Sequence, residues 1–336
     1  MTSSILVTGG LGFIGSHVVV ELLIRGSDVV VLDNLSNSNE SILDGVQKIT
    51  GKTPLLYIGD IRDPAILKLI FKRHDIQSVL HFAGLKAVGE GEEKPLLYFD
   101  NNVKGSIMLF DEMIKANVRR VIFSSSATVY GEAISVKYNE NMLLKPINVY
   151  GKTKLMVEEV LREMKRAYPQ LGIAILRYFN PVGAHPSGFI GENSNGTPNN
   201  LMPYIADVAS GKKEKLFIFG DDFATPDGTG VRDYIHVKDL ALGHIAALNK
   251  LETNFDMITV NLGTGKPYSV LDIVCAFEEA SGKKIPYEIV PRRQGDLAEY
   301  YADPSLAEKM LQWKTSFDIK AMCEDTWNWQ KYKIKA

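Results

Sequence analysis

Cysteine is scarce in this chain: Cys275 and Cys323 are the only two in 336 residues. Both sit in helical apolar patterns, so neither a disulfide framework nor a zinc site is supported. Six histidines show no H-E-x-x-H or comparable ligand spacing, no metal is expected, and His81, inside an apolar run, reads as a satisfied interior polar residue. No apolar run reaches the roughly 18 residues that a membrane-spanning helix needs, so no membrane partner is expected. The chain starts Met1-Thr2-Ser3-Ser4 and enters an apolar strand at once, which leaves no room for a signal peptide; the expected compartment is the cytoplasm. Charge imbalance is also small, with a net charge of -2 at pH 7. Without a basic stripe, no nucleic acid partner is expected, and an anionic ligand must be held by a few placed arginines. Internal repeats, heptads and low-complexity tracts are missing too.

What the chain does have is apolar residues, 45% of the total, enough for a large core and about two domains. Ser4 to Val7 is a short apolar strand, followed by Thr8-Gly9-Gly10-Leu11-Gly12-Phe13-Ile14-Gly15 and a helical pattern in which Ile14, Val18 and Leu22 recur every four residues before Gly26. A glycine-rich turn between strand and helix lets backbone approach a pyrophosphate at the positive end of the helix. The spacing Gly9-x-x-Gly12-x-x-Gly15 is a variant of the commoner fingerprint. The next strand, Asp28 to Leu32, ends in Asp33, eighteen residues after Gly15. A carboxylate there accepts hydrogen bonds from both adenosine ribose hydroxyls and repels a 2'-phosphate, which favours NAD over NADP.

Leu55 to Ile58, Val79 to Phe82, Val121 to Phe123 and Ala174 to Leu176 are further apolar runs separated by helical stretches, the pattern of a parallel sheet covered on both faces. Polar residues lie just past these strands, where such sheets bind ligands: Asp60-Ile61, Ala83-Gly84-Leu85-Lys86, Ser124-Ser125-Ser126 and Asn180. The expected fold is α/β: a Rossmann-like doubly wound parallel sheet over 1-180, and a smaller α/β substrate-binding domain over 181-336. A segment near 233-262 is expected to pack back on the first domain.

Tyr150 and Lys154 stand four apart, one helical turn, which puts phenol and ammonium on one face, about 5-6 Å apart at their Cβ atoms. A free tyrosine titrates near 10, and bringing it to working pH takes a drop of roughly three units, about 4 kcal/mol. A neighbouring ammonium pushes that way. The pair is expected to be a general base for a hydroxyl, with Ser126 hydrogen-bonding the same oxygen. Tyr150, Lys154, Val157 and Leu161 also recur as an ordinary amphipathic helix would have them, so the glycine-rich start is what gives the pair its catalytic meaning.

Residues 183-200 are rich in Gly, Asn, Ser and Pro, a loop of the length that is usually functional or disordered. Leu201 to Ala209 then reads as a helix, Leu216 to Phe219 as a strand and Lys238 to Leu251 as a helix. Two arginine loops stand out in this half, Gly230-Val231-Arg232-Asp233-Tyr234 and Pro291-Arg292-Arg293-Gln294-Gly295-Asp296. An arginine fork pairs with phosphate oxygens and a nearby carboxylate accepts from a sugar diol, so the two loops suit a nucleotide diphosphate.

The glycine loop, Ser126 and Tyr150-x-x-x-Lys154 resemble those of extended short-chain dehydrogenases/reductases. More narrowly, the chain resembles the UDP-glucose 4-epimerase family along essentially its whole length. The segments that carry this are His81 to Val88 (HFAGLKAV), Asp100 to Val103 (DNNV), Ser124 to Gly131 (SSSATVYG), Arg177 to Pro186 (RYFNPVGAHP), Asn199 to Tyr204 (NNLMPY) and Gly228 to His236 (GTGVRDYIH). The resemblance implies tightly held NAD, interconversion of UDP-glucose with UDP-galactose in galactose metabolism, and a homodimer packed through paired long helices. It assigns catalysis to Tyr150, Lys154 and Ser126. NAD contacts fall to Gly9, Gly12, Phe13, Ile14, Gly15, Asp33, Asn34, Asp60, Ile61, Phe82, Ala83, Gly84, Lys86, Asn101, Tyr150, Lys154 and Phe179. Substrate contacts fall to Lys86, Ser126, Tyr150, Asn180, Asn200, Leu201, Leu216, Phe219, Arg232, Arg293, Asp296 and Tyr300. The bulky Tyr300, where related epimerases with a small residue admit an N-acetyl group, implies poor activity on UDP-N-acetylhexosamines. A dehydratase of nucleotide sugars would need an acid and a base beside Ser126, where Ala127-Thr128 stand. A non-catalytic NAD-binding sensor would lack the Tyr-Lys pair.

Overall fold

The computed structural model describes residues 3-133, 135-193, 200-293 and 295-335. Strand and helix alternate from the start. β1 (Ser4–Thr8) leads to α1 (Phe13–Ile24), β2 (Asp28–Asp33) to α2 (Ile42–Thr50), and β3 (Leu55–Ile58) to α3 (Pro64–Arg73). Pro64 sets the first turn of α3 and the Asp63 carboxylate accepts from the Ala65 N-H at 2.8 Å, a start that needs no tertiary help. After β4 (Ile76–His81) come the short helices α4 (Val88–Glu93) and α5 (Pro95–Tyr98), a π-helical turn over Phe99–Lys104, and α6 (Gly105–Lys115). β5 (Arg120–Ser124) and the short β6 (Lys137–Tyr138) precede α7 (Val149–Ala167), β7 (Gly172–Tyr178) and β8 (Asn180–Val182).

The second half runs α8 (Leu201–Ala209), β9 (Leu216–Phe219), β10 (Val231–His236), α9 (Val237–Thr253), β11 (Met257–Leu262) and β12 (Pro267–Ser269). It ends with α10 (Val270–Ser281), β13 (Tyr287–Val290), β14 (Glu299–Ala302), α11 (Ser305–Leu311) and α12 (Ile319–Lys335). β3, α8 and β9 have the expected bounds; β7 and α9 run one or two residues past the expected runs at both ends, because pairing and packing continue past the most apolar positions, whereas β4 starts earlier and stops at His81, leaving Phe82 outside the strand.

Seven strands form one parallel sheet in the order β11-β7-β5-β4-β1-β2-β3. The order reverses direction between β1 and β4, the switch point beside which such sheets open a crevice at their carboxyl ends. Val29, Val30, Val31 and Leu32 are each at most 5% exposed, so both sheet faces are covered, and that is why the strand reads as an unbroken apolar run. One face packs Val18 and Leu22 of α1 with Leu240 and Leu248 of α9; the other packs Leu67, Phe110, Val157 and Leu161 from α3, α6 and α7. Truncating a side chain such as Leu22 to alanine is expected to cost about 2-5 kcal/mol.

A smaller sheet in the order β12-β10-β14-β6, with β8 also on β10, and a β9-β13 pair accompany α8, α10 and α12 around a separate core that includes Ile205, Ile273, Phe277 and Met322. Of the segment near 233-262 expected to pack back on the first domain, residues 237-262 do so, with α9 packing on α1 and β11 pairing with β7, while residues 233-236 lie in β10 of the smaller sheet. Among the described residues no helix is long and apolar enough to cross a membrane. Cys323 is buried and Cys275 exposed, both unpaired.

Candidate active site

The strand-end residues expected to hold a dinucleotide converge along one edge of the large sheet. Gly9 takes φ +69°, and a Cβ there would stand 2.7 Å from the Ala83 nitrogen, so the turn after β1 rests directly on the turn after β4. α1 begins after Gly12 with no side chain capping it, and Phe13, Ile14 and Gly15 form its first turn. A close backbone loop feeding an uncapped helix start fits a pyrophosphate. Asp33 closes β2, 7% exposed, where its carboxylate accepts from the Leu11 N-H of the glycine loop at 3.0 Å and from Ser38 Oγ at 2.7 Å. Next to it, Asn34 donates to Asp60 at 3.0 Å. Hydrogen bonds from Arg62 hold the Asp60 carboxyl well below the usual carboxylate range. The Ile61 side chain is in the core beneath the sheet, which leaves its backbone as the part of this residue that a ligand could reach. Phe82 lies against the His244 ring, 4.8 Å between centroids.

In the π-helical turn two adjacent residues face inward, Asn101 at 8% and Asn102 at 4% exposure. Neighbours on a regular helix point about 100° apart; the wider turn lets both face the crevice. Asn102 accepts from the Leu85 N-H at 2.8 Å and donates to the Leu85 carbonyl at 2.9 Å and Thr153 Oγ1 at 3.1 Å, tying the turn after β4 to α7.

α7 presents the expected catalytic pair. The Asn148 side chain accepts from the Gly151 N-H and Glu92 from the Val149 N-H, each at 2.7 Å, so two oxygens fix the helix start beside Tyr150. A Cβ on Gly151 would stand 2.7 Å from the Thr128 carbonyl, so glycine lets this turn approach the Ser126 turn. Tyr150 is 7% exposed and Lys154 5%. The Lys154 ammonium donates to the Ser124 carbonyl at 2.8 Å and lies 5.8 Å from the Tyr150 ring centre. Ser126 Oγ accepts from the Thr128 N-H at 3.2 Å and Thr128 Oγ1 at 3.0 Å, which turns its own proton elsewhere, and Ser126 stabilises the Tyr150 phenolate.

The electrostatics differ from the sequence expectation. Burial pushes the Tyr150 phenol well above its ordinary value rather than toward neutrality, and Tyr178 beside it pushes the same way. Burial likewise lowers Lys154 to about 8, opposed by Glu158. A single ammonium on the same helix is outweighed by the cost of desolvating the phenolate.

On the facing side, Arg232 lies 4.6 Å over the Tyr300 ring and Arg293 4.5 Å over Phe219, with Arg293 donating to Asp296 at 3.1 Å. Tyr300 stacks on Tyr138 at 5.5 Å and packs near Phe179 at 6.1 Å. The Asn180 amide donates to the Asp233 carbonyl at 2.9 Å. Lys86 pairs with Glu192 at 2.8 Å, and Asn200, just before Leu201 opens α8, donates to the same carboxylate at 3.0 Å. The Leu216 side chain is in the core, and its N-H donates to the Pro286 carbonyl at 2.9 Å. Residues 194-199 of the expected polar loop and Gln294 lie outside the described residues. A cavity of about 400 Å³ between α8 and α12, lined by residues including Asp207, Lys212 and Lys333, holds none of the expected catalytic groups. Tyr178, Asn102 and Glu192 carry no role assigned from the sequence, and Thr128 enters there only as a residue unfit for dehydration.

Residues 5-263 match the model of the NAD dependent epimerase/dehydratase family. A UDP-glucose 4-epimerase of Erwinia amylovora is 56% identical over 328 residues, 97% of each chain. Among solved structures, a UDP-glucose-4-epimerase from Stenotrophomonas maltophila with bound NAD and formylated UDP-arabinopyranose superposes with a TM-score of 0.97 at 49% identity over 99% of both chains. The UDP-glucose 4-epimerase of Bifidobacterium longum in complex with NAD+ and UDP gives 0.96 at 48% identity, again over 99% of both. With a match over most of its length and near-complete relatives above half identity, the chain belongs to the NAD dependent epimerase/dehydratase family.

Proposed function

We propose that this chain is an NAD-dependent epimerase that interconverts UDP-glucose and UDP-galactose at sugar C4, acting in galactose metabolism. The observation that carries the reading is the buried Tyr150, set on α7 beside Ser126 and Lys154 along the same sheet edge as the glycine loop. When bound, NAD would take up a hydride from sugar C4 and give it back to the opposite face, and would bring a positively charged ring, the counterion that a buried phenolate needs. Tyr150 takes the proton of the 4-hydroxyl and later returns it, while Ser126, its lone pairs engaged by Thr128, donates to the same oxygen. Lys154, anchored on Ser124, is suited to the nicotinamide ribose. Arg232 and Arg293 grip the diphosphate, with Asp296 placed for a ribose hydroxyl. The wall of Phe179, Tyr138 and Tyr300 offers the hexose shape with few fixed polar contacts. A tight nucleotide grip with a loosely held sugar allows the hexose to turn over between proton removal and return. No net oxidation results. Nothing beside Ser126 supplies the acid and base of a dehydratase, since Ala127 and Thr128 stand there.

A second copy of the chain is proposed to cover α4 to α7, where Leu96 is 82% exposed and Leu97, Ile107 and Met156 are also exposed. Unpaired cysteines suit a reducing compartment such as the cytoplasm. Purified protein given UDP-galactose without added cofactor should form UDP-glucose until a fixed ratio is reached, the same ratio from either sugar. Protein that carries NAD and binds both sugars yet leaves them unchanged would refute the proposal.

A further inference from the structure

Behind the catalytic residues lies a buried charge pair that the proposed chemistry does not use. Glu158 is fully buried and Arg177 is 2% exposed. Arg177 donates to both Glu158 oxygens, Nε at 3.0 Å and Nη2 at 2.7 Å. Ser125 Oγ donates to Oε1 at 2.6 Å and Arg162 to Oε2 at 2.7 Å. The remaining Arg177 fork donates to the Tyr130 hydroxyl at 3.0 Å, which donates in turn to Asn261 at 2.6 Å. Each of these elements carries an expected site residue one step away: Lys154 is one turn before Glu158, Ser126 follows Ser125, and Phe179 lies two residues beyond Arg177.

We infer that the Glu158–Arg177 pair is a positioning unit for the epimerase site, in which Glu158 supplies the negative charge that retains the Lys154 ammonium and, through Ser125 and Arg177, locks α7 to the ends of β5 and β7. This rests on the function proposed above. A purely structural pair has a less demanding solution, since apolar side chains of similar volume are often as stable as a buried ion pair. The charge has a use because Lys154 faces few other carriers of it. Its neighbours are Glu158 and Tyr150 from its own helix, the Phe123 ring and Ser124 carbonyl from β5, and from β4 His81, which burial keeps neutral down to about 3. Tyr178 and Tyr98 face Tyr150, and Arg162 and Arg177 face Glu158. Among the described residues Glu158 is the charge that favours the protonated lysine against its burial, beside the neutral Ser124 carbonyl that accepts from it.

The test is the Glu158→Gln holoenzyme compared with the unmodified protein. One turn of helix separates the two side chains, about 5-6 Å at Cβ, and a charge lost at that range moves a buried neighbour by about one pH unit or more. The alkaline limb of the kcat/KM profile should therefore shift toward acid by about one unit. NAD affinity, measured by titration of protein stripped of its cofactor and without any sugar, should match the unmodified protein at pH 6 and fall about fivefold below it at pH 8, where the Lys154 ammonium drops from about half to about a tenth of the population. A uniform loss of kcat and of NAD affinity at every pH, or no change at all, would overturn the inference. If the single variant does not accumulate folded, Glu158→Gln with Arg177→Met removes both charges without stranding one, and a displacement in the same direction but smaller is expected, because a positive charge leaves with the negative one. Failure of the unmodified protein to interconvert the sugars would defeat the proposed function alone, because the NAD titration still decides the role of the pair.

Discussion

Acidification from pH 7 to pH 5 should cost this protein much of its stability, through histidines buried without charge. Burial lowers His17 and His81 to about 3 and His185 and His244 to about 4, and all four are at most 8% exposed. Their folded pKa values lie below the unfolded 6.5, so the unfolded chain binds more protons throughout the window between. Stability is therefore present above pH 6.5 and is lost as pH falls through about 4 for His185 and His244 and about 3 for His17 and His81. Between pH 7 and 5 each group contributes about 1.9 kcal/mol of loss, and the four together about 7-8 kcal/mol, against a typical total of 5-15. Glu21 and Glu140, raised by burial, act in the opposite sense as pH falls toward their elevated values. Urea unfolding at fixed NAD concentration, followed at pH 7, 6 and 5, reads the slope. His17→Asn isolates one term: asparagine can keep the bond to the Phe13 carbonyl that His17 makes at 2.7 Å. The difference in stability between pH 7 and 5 should shrink by about 2 kcal/mol in that variant. An unchanged difference would show that His17 is not a neutral buried group.

Three further outcomes bear on the site itself. Tyr150→Phe should retain NAD and UDP-sugar binding while losing kcat by on the order of 10²-fold or more, the usual worth of acid-base catalysis; undiminished turnover would remove the assigned base. Arg293→Ala should raise the KM for the nucleotide sugar and leave the NAD content of purified protein intact, whereas loss of NAD would place this arginine on the wrong ligand. UDP-N-acetylglucosamine should turn over poorly, because the Tyr300 ring, stacked on Tyr138, packed near Phe179 and carrying Arg232 over its face, occupies the space that an N-acetyl group needs. Turnover comparable to UDP-glucose would refute that.

The large sheet is legible in the sequence because both of its faces are covered. Runs such as Val29 to Leu32 have no polar alternation to confuse, and Gly9, Asp33 and Ser126 each mark a strand end. The smaller sheet is harder to see. Its strands run from two residues, as at β6, to six at β10, and β10 recruits β8, β12 and β14 from widely separated stretches. Short strands carry little periodic signal, and their pairing is decided by tertiary contacts. Asn102 was hidden for a different reason. Periodicity assumes a regular helix, and the π-helical turn breaks the 100° spacing where two neighbouring asparagines both turn inward. Glu158 was masked by its own helix, where a glutamate between Val157 and Glu159 looks like solvated charge. Arg177, a lone cation at the end of the apolar run of β7, was the hint that a buried carboxylate must exist to meet it.

Helical spacing gives a distance between Tyr150 and Lys154 but says nothing about the medium between them, and the medium decides the sign. In water an ammonium about 5-6 Å away weakly favours a phenolate. In this crevice both groups are nearly inaccessible, and each loses hydration that the other does not replace, so the phenol moves up and the lysine down. A base built this way stays protonated until further positive charge enters, which couples proton removal to the presence of the oxidised cofactor. A binary complex should accordingly titrate Tyr150 at lower pH than the cofactor-free protein, visible as phenolate absorbance in a difference spectrum against Tyr150→Phe. Equal titration in the two forms would mean that the chain, not the cofactor, sets the base, and that burial has been given too much weight.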